Sequence, residues 1–532
     1  MGRETYSRGV WLGGCAFAQP GAGNIATVLA EKGRACKPGQ YIAESLVMAN
    51  QAGELSYAVR FAPVLKYFGL FCFIVAALAG APLGVSVAFG ETAITIRYAI
   101  VVFTLLACGG VLSRVRAAPN LQVNEAIILG AILFVFTPLV MSYPIMASGL
   151  GFVDALFEAI SGATTTGLST LSRVEHMPST FLFARAWMQW YGGLGIVVLS
   201  LALVMRPGLA ARTLAGSESM QDDLIGSSRA YARRALAIYA ILTGAGIVLL
   251  LVARAGLFNA VVYSLAAVST GGFAPHDNSL AGLGSWPVHT VVTLICLVGA
   301  VPLTFYYGLF HKGSDLAGST FQLKAILICG GLVATLLGVF MWLSDGLSWR
   351  YVFSHAPFLA FSAQSTAGFS TIEPSKLDAA SKLVLICAMV TGAGVGSTGG
   401  GFKILRLLIA IKCLQVRLAR SRLARHAVLQ PRLAGQRLQE GEIGDALLII
   451  LLFVAVIVVS WLAFLAMGYE PLDSLFEVAS ATGTVGLSVG LSSSPLPTLL
   501  KVVLCVDMLL GRLEIVAWLV LLDHRTWIGR RL

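Results

Sequence analysis

The chain has 532 residues, 57% of them hydrophobic and only 12% charged, with a formal net charge of +11 and a mean hydropathy of +0.82. That composition excludes a soluble globular domain and marks a polytopic membrane protein. The excess of Lys and Arg invites a nucleic-acid partner, but the basic residues sit in short loops between apolar runs, which is the positive-inside pattern instead.

In chain order, the first 50 residues are glycine-rich, carry Cys15 and Cys36, and lack the apolar core of a signal peptide. They read as a disordered extension or as the consequence of a misassigned start, with Met48 as the alternative initiator. Apolar runs at 64–88, 96–112, 124–143, 182–205, 236–253, 287–309, 325–343, 380–395, 443–467 and 496–522 follow. At about 20 residues per crossing, each is predicted to span the bilayer. Four shorter stretches, 152–163, 258–268, 352–364 and 472–482, have the length of re-entrant half-helices.

Each short stretch runs into a Gly/Thr segment: Thr164, Thr165, Thr166, Gly167; then Ser269, Thr270, Gly271, Gly272; then Ser365, Thr366, Ala367, Gly368; then Gly483, Thr484, Val485, Gly486. Residues 154–169 and 473–488 share 9 identities in 16 positions, among them Asp154/Asp473, Phe157/Phe476, Glu158/Glu477 and Ser161/Ser480. The inner two copies share STxGF, ending in Phe273 and Phe369. The order span, half-helix, Gly/Thr turn, span thus recurs four times in one direction. Non-helical backbone at membrane depth is tolerated only inside protein or along a wet cavity, so the four turns are expected to face a common pore. A ring of carbonyls and hydroxyls there can replace the hydration shell of a cation. Gly supplies the left-handed backbone that aiming successive carbonyls requires, and Thr adds oxygens. The predicted ion ligands are Thr165, Thr166, Thr270, Gly271, Thr366, Ala367, Thr484 and Val485. Glu158 and Glu477, nine residues before their glycines, read as packing or hydrogen-bond anchors.

Two features occur once. Gly392, Gly394, Gly396, Gly399, Gly400 and Gly401 crowd a stretch that should continue a span, and a helix does not survive such density. Its GVGSTG fits a dinucleotide fingerprint in letters only, since it follows an apolar helix and Phe402 stands where a Walker lysine would be. Arg512 lies within the last apolar run near Asp507 and Glu514, and an ionisable group at that depth is a functional candidate or a structural ion pair. Residues 403–437 hold nine Lys or Arg and no acid, a cytoplasmic marker shared in sign by Arg114, Arg116, Arg206 through Arg234, Lys312, Lys324 and Arg525 to Arg531. No HExxH or CxxC occurs and His276, His311, His355 and His426 are isolated, so neither an enzyme, a zinc site nor a disulfide framework is indicated.

From about residue 60 onward the chain resembles the TrkH/KtrB family of bacterial potassium transport subunits. The resemblance rests on the four Gly/Thr segments together with QWYGGLGIVV at 189–198, GAGVGSTGGGFKILR at 392–406 and MLLGRLEI at 508–515, in that order. The fourth segment, GTVG, is nearer the KtrB branch, and the GRLE ending nearer TrkH. The resemblance implies an all-α polytopic fold of four pseudo-symmetric pore units around a central pore, behind an N-terminal helix pair. The divisions expected are an atypical extension 1–59, the helix pair 60–118, and pore units 119–235, 236–324, 325–440 and 441–532, the third with an intramembrane glycine-rich loop. It further implies potassium uptake across the bacterial inner membrane, no covalently bound cofactor, membrane lipid around it, a homodimer, and a cytoplasmic nucleotide-binding regulatory subunit through which alone nucleotide acts. The glycine-rich stretch and Arg512 would then form the gate, Arg512 as an electrostatic barrier beneath the filter. The alternative is a secondary transporter whose broken helices bind another solute between inverted repeats, or a poorly selective Na/K permease. The repeats here run parallel, which favours the pore.

Overall fold

A computed structural model of the protein describes residues 58–117, 121–204, 224–310, 316–344, 346–422 and 430–527. The expected N-terminal extension up to residue 57, the start near Met48, Cys15, Cys36, the Arg206 to Asp223 stretch, His311, Lys312, His426 and the last residues Ile528 to Leu532 lie outside that description. Everything below belongs to the compact unit Val59–Thr526.

The front pair is α1 (Phe61–Ala88) and α2 (Thr92–Leu112). Small residues let the two backbones touch: a Cβ at Gly109 would sit 3.0 Å from the Gly69 carbonyl oxygen, and one at Gly69 would press on Leu112 and Ser113. Only about a third of each hydrophobic stretch is buried within the protein, and Ile96, Phe103 and Val111 point outward, as lipid-facing side chains do.

Four sets of long helix, short helix, turn and second helix follow. The first is α3 (Val123–Ile145), α4 (Phe152–Ala163) and α5 (Ser179–Val204). The second is α6 (Leu224–Val252), α7 (Leu257–Val268), α8 (Trp286–Ala300) and α9 (Leu303–Phe310). The third is α10 (Leu316–Leu343), α11 (Trp349–Gln364), α12 (Ala379–Thr391) and α13 (Ile404–Arg420). The fourth is α14 (Glu440–Ala466), α15 (Pro471–Thr482), α16 (Thr498–Arg512) and α17 (Ile515–Leu522). Among the described residues six helices are long and apolar enough to cross a membrane, α1, α2, α3, α6, α10 and α14. The short helices α4, α7 and α15 have 12 residues each, about 18 Å at 1.5 Å per residue, and so reach only partway through a hydrocarbon core of about 30 Å. A two-residue hairpin, β1 (Arg432–Leu433) with β2 (Gln436–Arg437), closes through Ala434 and Gly435, both at positive φ, between α13 and α14.

Two of the expected single spans are broken. The 287–309 run parts at extended Val301 and Pro302, between α8 and α9, and the 496–522 run parts at Leu513 and left-handed Glu514, between α16 and α17. The first break is matched by the glycine-rich stretch of the third set: Gly394 N–H donates to Ala300 O, Thr398 N–H to Gly299 O, and Leu303 N–H to Gly396 O. Backbone groups freed in hydrocarbon cost several kcal/mol each unless satisfied, and here two interrupted helices satisfy one another.

Candidate functional site: four turns and a plug

All four short helices end the same way. Thr165, Thr270, Thr366 and Thr484 are left-handed at φ 48 to 57°, and Gly167, Gly272, Gly368 and Gly486, two residues on, have φ 73 to 95°. The intervening amides fold back onto the helix: Thr165 N–H to Gly162 O and Thr166 N–H to Ser161 O recur at 270/267 and 271/266, at 366/363 and 367/362, and at 484/481 and 485/480. With the N–H groups held behind and left-handed residues at alternate positions, the carbonyls of the turns are free to share one side.

The turns close on one another in cyclic order. A Cβ added to Gly167 would collide with the carbonyl oxygen of Gly271, one at Gly272 with that of Ala367, one at Gly368 with that of Val485, and one at Gly486 with that of Thr166. Each glycine is therefore required by its φ and by the carbonyl of the next segment. All four glycines also line a single cavity of about 870 Å³. Asp277 and Glu373 lie on its wall, and Asp277 latches the first loop to the second by accepting from Val174 N–H at 2.5 Å. The hydroxyls of Thr165 and Thr484 are buried without a hydrogen-bond partner among the described residues. The ring thus gathers all sixteen residues of the four predicted segments, including all eight predicted ligands, which occupy the two positions before each glycine.

Beneath the turns lies the glycine-rich stretch between α12 and α13. Gly400 N–H donates to Thr366 Oγ1 at 2.6 Å and Gly401 N–H to Gly483 O at 3.0 Å. A Cβ at Gly400 would collide with Gly483 O and Thr484 Oγ1, and one at Gly392 would collide with Gly400 O. Thr398 Oγ1 donates to Gly299 O at 2.9 Å and lies within 3.1 Å of Val268 O. Arg512 ends α16, buried, and its Nη1 donates to Thr398 O at 2.7 Å. The two ion-pair partners weighed from the sequence are taken elsewhere: Glu514 pairs with Arg406 at 2.5 Å and Asp507 accepts from Ser460 at 2.6 Å. Of the six glycines, Gly400 and Gly399 touch the turns, Gly392 and Gly401 pack on each other, Gly394 meets α8 and Pro302, and Gly396 meets Leu303.

The anchors behind the ring follow the repeat only in part. Glu158 accepts from Ser169 Oγ at 2.6 Å and Thr170 N–H at 3.0 Å, and Glu477 accepts from Ser488 Oγ at 2.8 Å and Ser492 N–H at 3.0 Å, as anchors should. Glu158 also pairs with buried Arg185 at 2.9 Å, whose guanidinium stands 3.8 Å from the Phe273 ring centre. Lys501 reaches Asp154 at 2.6 Å and Lys382 reaches Asp473 at 2.7 Å, each tying the short helix of one set to the second helix of the set before it in the ring. Sequence reading did not single out these cations or Arg185. It also missed why the signature glycines stand where they do. A Cβ at Gly192, Gly299 or Gly511 would strike the carbonyl of Ala163, Val268 or Thr482, the last residue of the short helix in the same set. Their spacing of 25 to 27 residues after the ring glycine is the signal that could have found them.

With this geometry in view, comparison with known proteins is direct. The TrkH family, described as cation transport proteins, matches residues 126–313 and 339–525. An uncharacterized cation transporter of Methanocaldococcus jannaschii is 29% identical over 418 residues, 78% of this chain and 85% of the relative. The Trk system potassium uptake protein TrkH of Escherichia coli K12 is 28% identical over 416 residues, 75% of this chain and 83% of the relative. The crystal structure of the potassium transporter TrkH from Vibrio parahaemolyticus superposes with a TM-score of 0.78 at 25% identity, covering 88% of this chain and all of that one.

Proposed function

From the premise that this chain belongs to the TrkH family of cation transport proteins, as a multi-pass inner-membrane transporter and not an enzyme, we propose that it carries potassium ions into the cell through the ring of four turns. The observation that carries the reading is the cyclic closure of the glycines on the carbonyls of Thr166, Gly271, Ala367 and Val485. These four oxygens make one ligand layer, and Thr165, Thr270, Thr366 and Thr484 supply the layer below. Short helices aim their C-terminal, partly negative ends at the path, which favours a cation. A carbonyl ring replaces the water of a weakly hydrated ion more readily than that of sodium.

The glycine-rich stretch is the gate in this reading. It lies directly beneath the turns and is held by hydrogen bonds to Thr366, Val268, Gly299, Gly483 and Arg512. Arg512 adds a positive charge that opposes a cation and a bond that keeps the stretch in place. Opening requires the stretch to leave those partners, and a cytoplasmic nucleotide-binding regulatory subunit acting on a homodimer is the device we assign to it. Nucleotide has no site on this chain in that scheme, and potassium is substrate rather than cofactor.

The test is uptake by the purified protein in liposomes under an imposed gradient, comparing potassium, rubidium and sodium. Potassium and rubidium should enter at similar rates and sodium about tenfold more slowly or less. Equal rates for all three would remove the filter from the account.

A further inference from the structure

We propose that Gln189 is the positioning residue of the second filter segment and, together with Gly271 and Ala266, sets how strongly the ring discriminates potassium from sodium. The inference rests on the filter reading above and concerns only how one of its four strands is held.

In the first and fourth segments the ring glycine is tethered from its own short helix. Gly167 N–H donates to Ser161 Oγ at 3.0 Å and Gly486 N–H to Ser480 Oγ at 3.0 Å. The residue six positions before Gly272 is Ala266, fully buried and without a hydroxyl. The tether comes instead from α5 of the preceding set. Gln189 is fully buried, its Oε1 accepts from Phe273 N–H at 3.1 Å, and its Nε2 donates to Gly271 O. One amide thus grips the strand on both sides of Gly272.

Gly271 is the matching half of this arrangement. The equivalent positions hold Thr166, Ala367 and Val485, all with a Cβ. A Cβ at Gly271 would fall on the amide carbon of Gln189. The loss of a hydroxyl at 266, the loss of a side chain at 271 and the arrival of an amide from α5 are therefore one exchange. Arg185, one turn earlier on α5, stacks on Phe273, so α5 presents one face to this strand.

The exchange has a consequence for ion binding. A carbonyl oxygen has two lone pairs, and at Gly271 one of them is committed to Gln189. That oxygen is fixed in direction, and it is the member of the four-oxygen layer with the least charge to offer a cation. Discrimination by the ring depends on the amide holding the oxygen still.

The experiment compares the potassium-to-sodium permeability ratio in liposomes for the parent protein, Gln189→Met, Gln189→Asn, and Gln189→Met combined with Ala266→Ser. Gln189→Met keeps the volume and removes both bonds. Its ratio should fall about fivefold, the size of one backbone-anchoring hydrogen bond, while the potassium rate changes less than the sodium rate. Gln189→Asn keeps a buried amide one methylene short and should lose part of the ratio, which preserves the test if the Met variant does not purify as a monodisperse protein. Ala266→Ser restores the tether used at Gly167 and should recover part of the loss. A parent ratio in both single variants, even with a lowered yield, would reduce Gln189 to packing and overturn the proposal, and so would no recovery in the double variant. A parent protein that does not discriminate the two ions would instead overturn the filter reading itself.

Discussion

The turns at the ends of the short helices occur four times with one dihedral pattern, whereas the glycine-rich stretch below them occurs once. The turns are held by short-range bonds to their own helices and by contacts passed around the ring from each segment to the next. The stretch is held by bonds drawn from several separate elements, among them the Gly299 and Ala300 carbonyls of α8, Val268 of α7, Gln364 of α11, Thr366 and Gly483 in the turns, and Arg512 of α16. A ring in which every member supports the next resists displacement of any one. A segment that keeps a few bonds of its own, Ala393 N–H to Gly400 O and Ser397 N–H to Gly394 O, can leave its outside partners together, which is what a moving part requires.

Substitutions separate the two. The largest effect is expected in the ring. Gly368→Ala puts a side chain at φ +73° and into the Val485 carbonyl, and a left-handed non-glycine alone costs about 1 to 2 kcal/mol. Together with the overlap this should lower potassium uptake at least about 100-fold, measured as growth on limiting potassium of cells that depend on this protein. Next comes the plug. Arg512→Ala removes a buried charge and the bond to Thr398 O, and should raise potassium flux into liposomes about tenfold, a barrier change of about 1.4 kcal/mol. A flux at or below the parent value would mean that Arg512 supports the fold and not the barrier. Thr398→Val keeps the shape and the carbonyl that Arg512 binds but loses the hydroxyl contacts to Gly299 and Val268. The stretch should loosen by less, and flux rise about threefold.

The smallest effect on transport is expected at the rim of the ring. Lys501→Met leaves Asp154 without its partner. Breaking a largely buried pair from one side destabilises by up to about 3 kcal/mol, so the detergent-solubilised protein should melt several degrees lower while the potassium-to-sodium ratio of the folded fraction stays within about twofold of the parent. Adding Asp154→Leu should recover most of the melting temperature, because replacing both members of a buried pair by apolar groups is close to neutral. A selectivity loss in Lys501→Met would make the pair part of the filter support and blur the distinction drawn here.

The same contrast governs what the amino-acid sequence discloses. Spans, short helices and turns are legible because hydrophobic length, Gly/Thr composition and recurrence all report them, and the 154–169 and 473–488 likeness doubles the signal. The glycine-rich stretch is legible as a helix breaker, and the gating role proposed for it comes only through family resemblance. The breaks at Val301 and Glu514 are barely legible: Pro302 hints at one, and the other lies inside GRLE, where a lone Gly511 three residues earlier is the only local cue. The supports behind the ring are also silent, since Lys501 and Asp154 stand 347 residues apart and Gln189 and Gly271 stand 82 apart. Nothing in local composition ties such pairs together; the topology does.

The central claim is that the carbonyls of Thr166, Gly271, Ala367 and Val485 together hold a dehydrated potassium ion. It is tested most directly by crystals grown in rubidium and examined at the rubidium absorption edge. The account predicts an anomalous peak on the axis within about 3 Å of all four oxygens, lost when sodium replaces rubidium. A peak bound to one segment alone, or elsewhere in the protein with the ring empty, would contradict it.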